Sequence, residues 1–302
     1  MNKTFGRGVF FAALSYFLWG IFPLYWKLLV AVDSLHILGF RIIFSLLLVS
    51  VILFARKNFS WLGFFRDRKK GLLLVLASIT ISFNWGLYIW AINSGHTLGA
   101  SLGYYMNPLI SIVLGLCVFR EKLKPLQWLA FAVAMIGVTI QTILSGSLPW
   151  VSLGLALSFA FYGLLKKTIS FSALESLGVE TLIAAPLGMA MLFAPAVSRI
   201  FPEWRSIGYV ADFPVHTLLL LLLSGVVTTL PLYLFAKGAK MLPLSTLGFI
   251  QFISPTLNFF VGIFIFGESF SLHNFIVFGC IWTAVILYII SLKLAPKQAN
   301  KL

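Results

Sequence analysis

The chain has 302 residues, 60% hydrophobic and 10% charged, with a mean hydropathy of +1.02 and a formal net charge of +14. Soluble domains run about 25% charged, so this composition excludes a chain that covers itself with a water-facing surface. The basic excess invites a nucleic-acid partner, and the placement of the charges excludes that reading.

Apolar stretches of about 20 residues suffice to cross a hydrocarbon core of about 30 Å. They fall at 8–30, 35–55, 71–93, 97–119, 126–144, 149–166, 176–195, 214–236, 243–266 and 271–292. Backbone in lipid must satisfy its own hydrogen bonds, and the alternation of a membrane barrel is missing. The fold class predicted is therefore an all-α polytopic membrane protein with ten transmembrane helices. Eighteen of the 22 basic residues gather on one set of ends and loops, among them Lys3, Arg7, Arg56, Lys57, Arg120, Lys122, Lys240, Lys293, Lys297 and Lys301. Arg199 and Arg205 alone occupy the alternate loops, and Lys27 and Arg41 lie inside spans. That bias is the positive-inside signature, and it places both termini in the cytoplasm. The charge reports topology and contact with the lipid bilayer; no nucleic acid is expected. Cys117 and Cys280 fall within spans 4 and 10 as small apolar residues, with no metal site or disulfide framework. No cleavage site follows the first stretch, which reads as an uncleaved helix.

ALSYFLWG (13–20) in span 1 returns as ALSFAFYG (156–163) in span 6. Leu87-Tyr88 and Ala91 return as Leu232-Tyr233 and Ala236. Asn107-Pro108, Gly115, Phe119 and Glu121 return as Ser254-Pro255, Gly262, Phe266 and Glu268. The order predicts two units of five helices, 1–145 and 146–302. Five is odd, so the second unit is inverted, a transporter construction with its solute site at the midplane between the halves.

Nine stretches carry a resemblance: Trp19-Gly20 through Pro23; Tyr25-Trp26-Lys27; Arg41 followed by IIFS; NWGLYIWAIN (84–93); ASLGYYMNPL (100–109); ALSFAFYGLLKK (156–167); Glu180-Thr181-Leu182; TTLPLYLFA (228–236); and LGFIQFISPTL (247–257). Over nearly its whole length the chain resembles the RarD branch of the EamA-type drug/metabolite transporter superfamily. FREKL (119–123) and FGESF (266–270) match the wider superfamily only. Phe40 stands before Arg41 where the branch's pattern carries His, so no role of that His is carried over. The resemblance implies ten helices, cytoplasmic termini and a carrier in the bacterial cytoplasmic (inner) membrane. It implies no particular solute.

Ionisable groups inside a membrane are costly and face a cavity or a partner. Lys27 and Arg41 each fall within about 10 Å of the outer boundary at 1.5 Å per residue. Two cations at similar depth point to an anionic group on a solute, with Arg41 gripping it bidentately. The alternatives are Lys27 snorkelling to headgroups and Arg41 bonding helix-end carbonyls or Asp33. Glu180 is the acid well inside a span, about a turn into span 7, with Lys166 and Lys167 at nearby depth. Glu180 and Lys166 form either a structural ion pair or a proton-coupling site.

Asn84 and Tyr88 share one helix face, as do Ser158, Tyr162 and Lys166. With Ser15, Trp19, Trp26, Tyr104, Asn107, Gln251 and Asn258 they extend the list of candidate solute contacts, with plain helix packing as the alternative for each. Pro23, Pro108, Pro186, Pro231 and Pro255 interrupt spans 1, 4, 7, 8 and 9, and Pro23, Pro108, Pro231 and Pro255 are the candidate hinges. The equivalent pair Pro108 and Pro255 points to spans 4 and 9 as solute-facing, with 1, 3 and 6 beside them. Gly95, Gly99 and Gly103 form a small-residue seam.

An enzyme needs placed nucleophiles, acid–base pairs or metal ligands. His36, His96, His216 and His273 fall near span ends, and no metal or phosphate motif is present. The expectation is a non-enzyme with no cofactor: a secondary transporter moving a small organic metabolite or drug-like solute by alternating access. A passive channel or lipid scramblase, and a membrane sensor subunit, are the alternatives. The sequence does not fix oligomeric state, a homodimer included.

Overall fold

The computed structural model describes residues 3–93, 97–144, 150–193, 213–267 and 272–294. Expectations on Gly95, His96, Arg199, Arg205, Glu268, Lys297 and Lys301 lie outside them, as does the side chain of His273. The described residues are helical, with no strand among them. In chain order the helices are α1 (Lys3–Lys27), α2 (Ser34–Ala55), a 3-10 turn (Ser60–Arg66), α3 (Arg68–Asn93), α4 (Thr97–Val118), α5 (Pro125–Leu144) and α6 (Trp150–Thr168). Then come α7 (Ala173–Leu192), α8 (Val215–Met241), α9 (Leu244–Gln251), α10 (Ile253–Phe264) and α11 (Leu272–Lys293).

Among the described residues, eight helices are long and apolar enough to cross a membrane, with α9 and α10 counted together as Leu244–Phe264. Two of the ten expected spans fall outside that group. Leu102–Val118 of α4 is a shorter apolar helix, and α6 ends in Lys166 and Lys167. Large apolar side chains point outward from the bundle, among them Phe10, Val51, Ile79, Ile143, Leu219 and Ile286. An apolar exterior around a buried set of serines, threonines and amides is the pattern a lipid solvent selects.

Helix packing crosses between the two halves of the chain. α1 packs on α8 and on the α9–α10 pair; α2 packs on α7 and α8; α3 packs on α6 and α7; α4 packs on α6 and α9; α5 packs on α11. Lipid supplies no hydrophobic drive between helices, so close approach and interhelical hydrogen bonds hold them. A Cβ on Gly225 would sit 2.6 Å from the Phe44 backbone, and one on Gly248 would sit 2.6 Å from the Pro108 carbonyl oxygen. Ser45 donates to the Gly225 carbonyl (3.2 Å) and Ser78 to the Glu180 carbonyl (2.8 Å).

The repeated octets serve one purpose twice. Ser15 donates to the Pro231 carbonyl of α8 at 2.8 Å, while Ser158 accepts from Asn84 Nδ2 of α3 at 2.8 Å. Each octet serine thus fastens its helix to a helix of the other half. Carboxylates close the helix starts. Ser172 and Glu175 form a capping box at α7, and Glu175 also accepts from Asn58 and Ser60. Glu121 accepts the backbone N–H groups of Leu244 (2.6 Å) and Ser245 (2.8 Å), placing an anion on the α9 N-terminus.

The prolines bend less than their spacing suggests. Pro23, Pro108, Pro186 and Pro231 all lie inside continuous helices. The break falls in the ninth span, where Phe252 separates α9 from α10 and Pro255 stands in the first turn of α10. Of the four candidate hinges, Pro255 alone adjoins an interruption. Its ring needs no backbone donor there, so the first turn tolerates it.

Candidate functional site

A cavity of about 180 Å3 lies among α1, α2, α3, α4, α6, α8, α9 and α10. Nine of the candidate solute contacts line it: Trp19, Trp26, Arg41, Asn84, Tyr88, Tyr104, Asn107, Gln251 and Asn258. Pro23 and Pro255 line it too. Its lining sits from Tyr16 onward in α1, at Asn84–Tyr88 late in α3, and at Tyr104–Asn107 early in α4. The cavity therefore occupies the half of the bundle away from the basic helix ends.

Arg41 is the charged residue in the wall. Its Nε donates to Thr228 Oγ1 of α8 at 2.9 Å. Its guanidinium lies 5.0 Å from the Trp26 ring and 5.1 Å from the Trp85 ring, within cation–π range. It bonds neither Asp33 nor a helix-end carbonyl among the described residues; Asp33 instead caps α2 through Leu35 N–H. Asn84 faces both neighbours, donating to Leu155 O (2.9 Å) and Ser158 Oγ (2.8 Å). Tyr16 reaches Gln251 Oε1 at 3.4 Å. Asn258 Oδ1 is buried with no hydrogen-bond partner among the described residues.

Lys27 and Tyr162 fall elsewhere, as do Ser15, Ser158 and Lys166. Lys27 does not line the cavity; its ammonium sits over the Phe266 ring at 4.1 Å. Lys27, the last residue of α1, thus stands apart from the cavity that Arg41 lines. Tyr162 is fully buried outside the cavity, and its hydroxyl donates to Glu180 Oε2 at 2.8 Å. A buried carboxylate needs donors on both oxygens, and Tyr162 supplies one of them.

The other donor is Lys166. Its Nζ lies 2.7 Å from Glu180 Oε1, with the two side chains 0% and 3% exposed, and it also bonds Ser176. Both alternatives for this pair survive the geometry: a closed ion pair, and a carboxylate poised to exchange a proton. Between pair and cavity stands an aromatic layer. Phe235 of α8 packs on Trp19 (5.7 Å), Phe159 (5.3 Å) and Tyr162 (5.9 Å), and Trp19 meets Phe159 at 5.4 Å. Three of these rings, with Tyr16, are the aligned aromatics of the two octets.

Sequence reading passes over Tyr16, Phe22, Trp85, Phe159, Thr228 and Ser254 as wall residues. Tyr16 and Phe159 carry a signal, since they are matched positions in the octets. Thr228 stands one turn from Pro231 on a helix whose polar positions are few. Phe22 and Trp85 look like any apolar helix residue.

A family model described as "EamA-like transporter family" matches the chain twice, at residues 6–143 and 148–290. A Bacillus subtilis (strain 168) protein named "Uncharacterized transporter YojE" is 43% identical across 98% of this chain and 97% of its own. "Protein RarD" of Escherichia coli (strain K12) is 38% identical across 99% of both. A solved structure titled "Crystal structure of protein" superposes with a TM-score of 0.72 over 95% of this chain and 98% of its own, at 15% identity, a likeness of fold.

Proposed function

Because the chain belongs to the EamA-like transporter family, in its RarD branch, we propose a secondary transporter that moves a small organic metabolite or drug-like solute across the bacterial cytoplasmic membrane by alternating access. The observation that carries it is the one-sided cavity. Helices of both halves build the wall, and toward the basic helix ends the aromatic layer and the Tyr162–Glu180–Lys166 cluster fill the space. A carrier caught open to one side has that asymmetry, whereas a channel needs a continuous polar path.

The ten-helix inverted repeat draws support from packing. Exchange helix 1 with 6, 2 with 7, 3 with 8, 4 with the α9–α10 pair and 5 with 11. Then α1–α8 becomes α6–α3, α2–α8 becomes α7–α3, and α4–α6 becomes the contact of α9–α10 with α1. Contacts α2–α7, α5–α11 and α4–α9 map onto themselves. The double family match, breaking between 143 and 148, agrees with units 1–145 and 146–302. In this reading Trp19 and Tyr162 are equivalent positions. One lines the cavity and the other is packed against Glu180 and Phe235, and a rocking of the two halves would exchange their environments. Both termini stand in the cytoplasm.

The drive is an ion or solute gradient, with Glu180 and Lys166 as the proton-coupling candidates. One charge moved across 100 mV supplies about 2.3 kcal/mol. Flux of radiolabelled solutes into proteoliposomes tests the assignment. Saturable, gradient-driven uptake supports a carrier; uptake that never saturates returns the passive channel or scramblase; binding without movement returns the sensor subunit. Glu180→Gln should uncouple flux from an imposed pH gradient while exchange of solute for solute persists.

A further inference from the structure

The solute class is written in the charge balance of the cavity. Five of the eight acidic residues are described, and each is engaged elsewhere: Asp33 caps α2, Asp67 pairs with Lys70, Glu121 caps α9, Glu175 sits in its capping box, and Glu180 pairs with Lys166. None of them lines the cavity. Arg41 thus places a cation in a wall of rings, amides and hydroxyls with no carboxylate opposite it among the described residues. It is partly exposed to the cavity rather than sealed in the core, so an anion entering there finds a charged donor ready to pair. The bond from Nε to Thr228 fixes the guanidinium plane and leaves both terminal nitrogens without a protein acceptor among the described residues. Those terminal nitrogens, in a fixed fork, match the two oxygens of a carboxylate.

The rest of the wall specifies the body of the solute. Trp19, Trp26, Trp85, Tyr88, Tyr104 and Phe159 surround the space with ring faces and edges, which favour another flat ring over a branched aliphatic chain. Asn258 offers a buried acceptor with no donor, and an orphaned buried acceptor favours a solute that brings an N–H or O–H. A cavity of about 180 Å3 has room for several waters, a scale that suits a small organic acid.

Resting on the transporter reading, we propose that the cavity is selective for a small aromatic monocarboxylate that bears a hydrogen-bond donor, its carboxylate on Arg41 and its ring among the tryptophans. The test uses the full-length protein in detergent and three probes of nearly one shape: indole-3-acetate, its neutral amide indole-3-acetamide, and the cation tryptamine. Tryptophan fluorescence and calorimetry report binding. The acid should bind between about tenfold and a hundredfold tighter than the amide, the worth of a charge-assisted pair, with tryptamine weakest. Arg41→Gln should bring the acid down to the amide's affinity, and an unchanged thermal unfolding midpoint shows the variant still folded. Should that variant fail to fold, Arg41→Lys replaces it, with the acid's advantage reduced by the lost fork. N-methylation of the indole should weaken the acid severalfold through Asn258.

Equal affinities for acid, amide and amine, or no binding of any probe, overturn the proposal. Neither result touches the transporter reading, which solute flux decides. Arg41-dependent binding of the acid without its movement into proteoliposomes has the opposite meaning: the ligand class stands and the carrier does not.

Discussion

Lys166 and Glu180 show how little a buried charge pair need add to stability, and how much its halves can subtract. Each is almost wholly out of water and hydrogen-bonded to the other, with Tyr162 donating to Glu180 and Ser176 bonding Lys166. Removing one partner strands a charge and costs about 3–5 kcal/mol, whereas replacing both by apolar residues of similar volume is often neutral. Lys166→Met should therefore lower the unfolding midpoint in detergent sharply, and adding Glu180→Leu should restore most of it. Tyr162→Phe should cost about 1–3 kcal/mol, since it leaves one carboxylate oxygen short of a donor. A double variant no more stable than Lys166→Met would remove the pair as the cause. The shared face of Ser158, Tyr162 and Lys166 is legible in the sequence from spacing alone. The direction of that face is not. It turns Tyr162 from the cavity because Glu180, on another helix, needs its hydroxyl, and no local pattern encodes a partner 18 residues away.

At the scale of helices, glycine placement separates contact from freedom. Gly225 sits where α8 crosses α2, so Gly225→Ala should push the helices apart and destabilise by about 1–3 kcal/mol. Gly279 in α11 meets nothing within 4 Å. Gly279→Ala should stabilise by up to about 1 kcal/mol through helix propensity. Thermal unfolding of the two variants side by side measures both signs. Helix positions were readable to within a few residues because a bilayer imposes length and hydropathy on every span. Helix breaks were not. Four of five prolines leave their helices continuous, since in a bundle neighbouring helices, side chains and local adjustment re-satisfy the freed backbone groups. The interruption at Phe252 is the exception: the sequence itself marks Pro255 as a break, and with no N–H it cannot donate to the Gln251 carbonyl, where α9 ends.

For the molecule as a whole, the topology is the proposal most directly checked. With Cys117 and Cys280 replaced by Ser, a cysteine at Val30 should react with an impermeant maleimide from outside the cell. One at Phe65, in the turn after α2, should react only after the membrane is permeabilised. Both residues are well exposed, at 84% and 74%. Reaction of both from the same side would sink the orientation. The all-helical, membrane-spanning class and the charge bias were legible because they are properties of the whole chain. The cavity was legible in part, through residues such as Arg41 and Asn107 that are costly in lipid. Phe22 and Trp85 became wall residues only once packing decided which faces point inward. One consequence concerns biogenesis. α6 ends in two lysines and α7 carries Glu180 two turns in, so each would enter the bilayer alone with a penalty of about 2.5–3.5 kcal/mol per charge at mid-depth and less near the ends. Only 14 residues separate Lys166 from Glu180. The translocon should thus release α6 and α7 together as a neutralised hairpin, and nascent chains stalled between them should stay beside it.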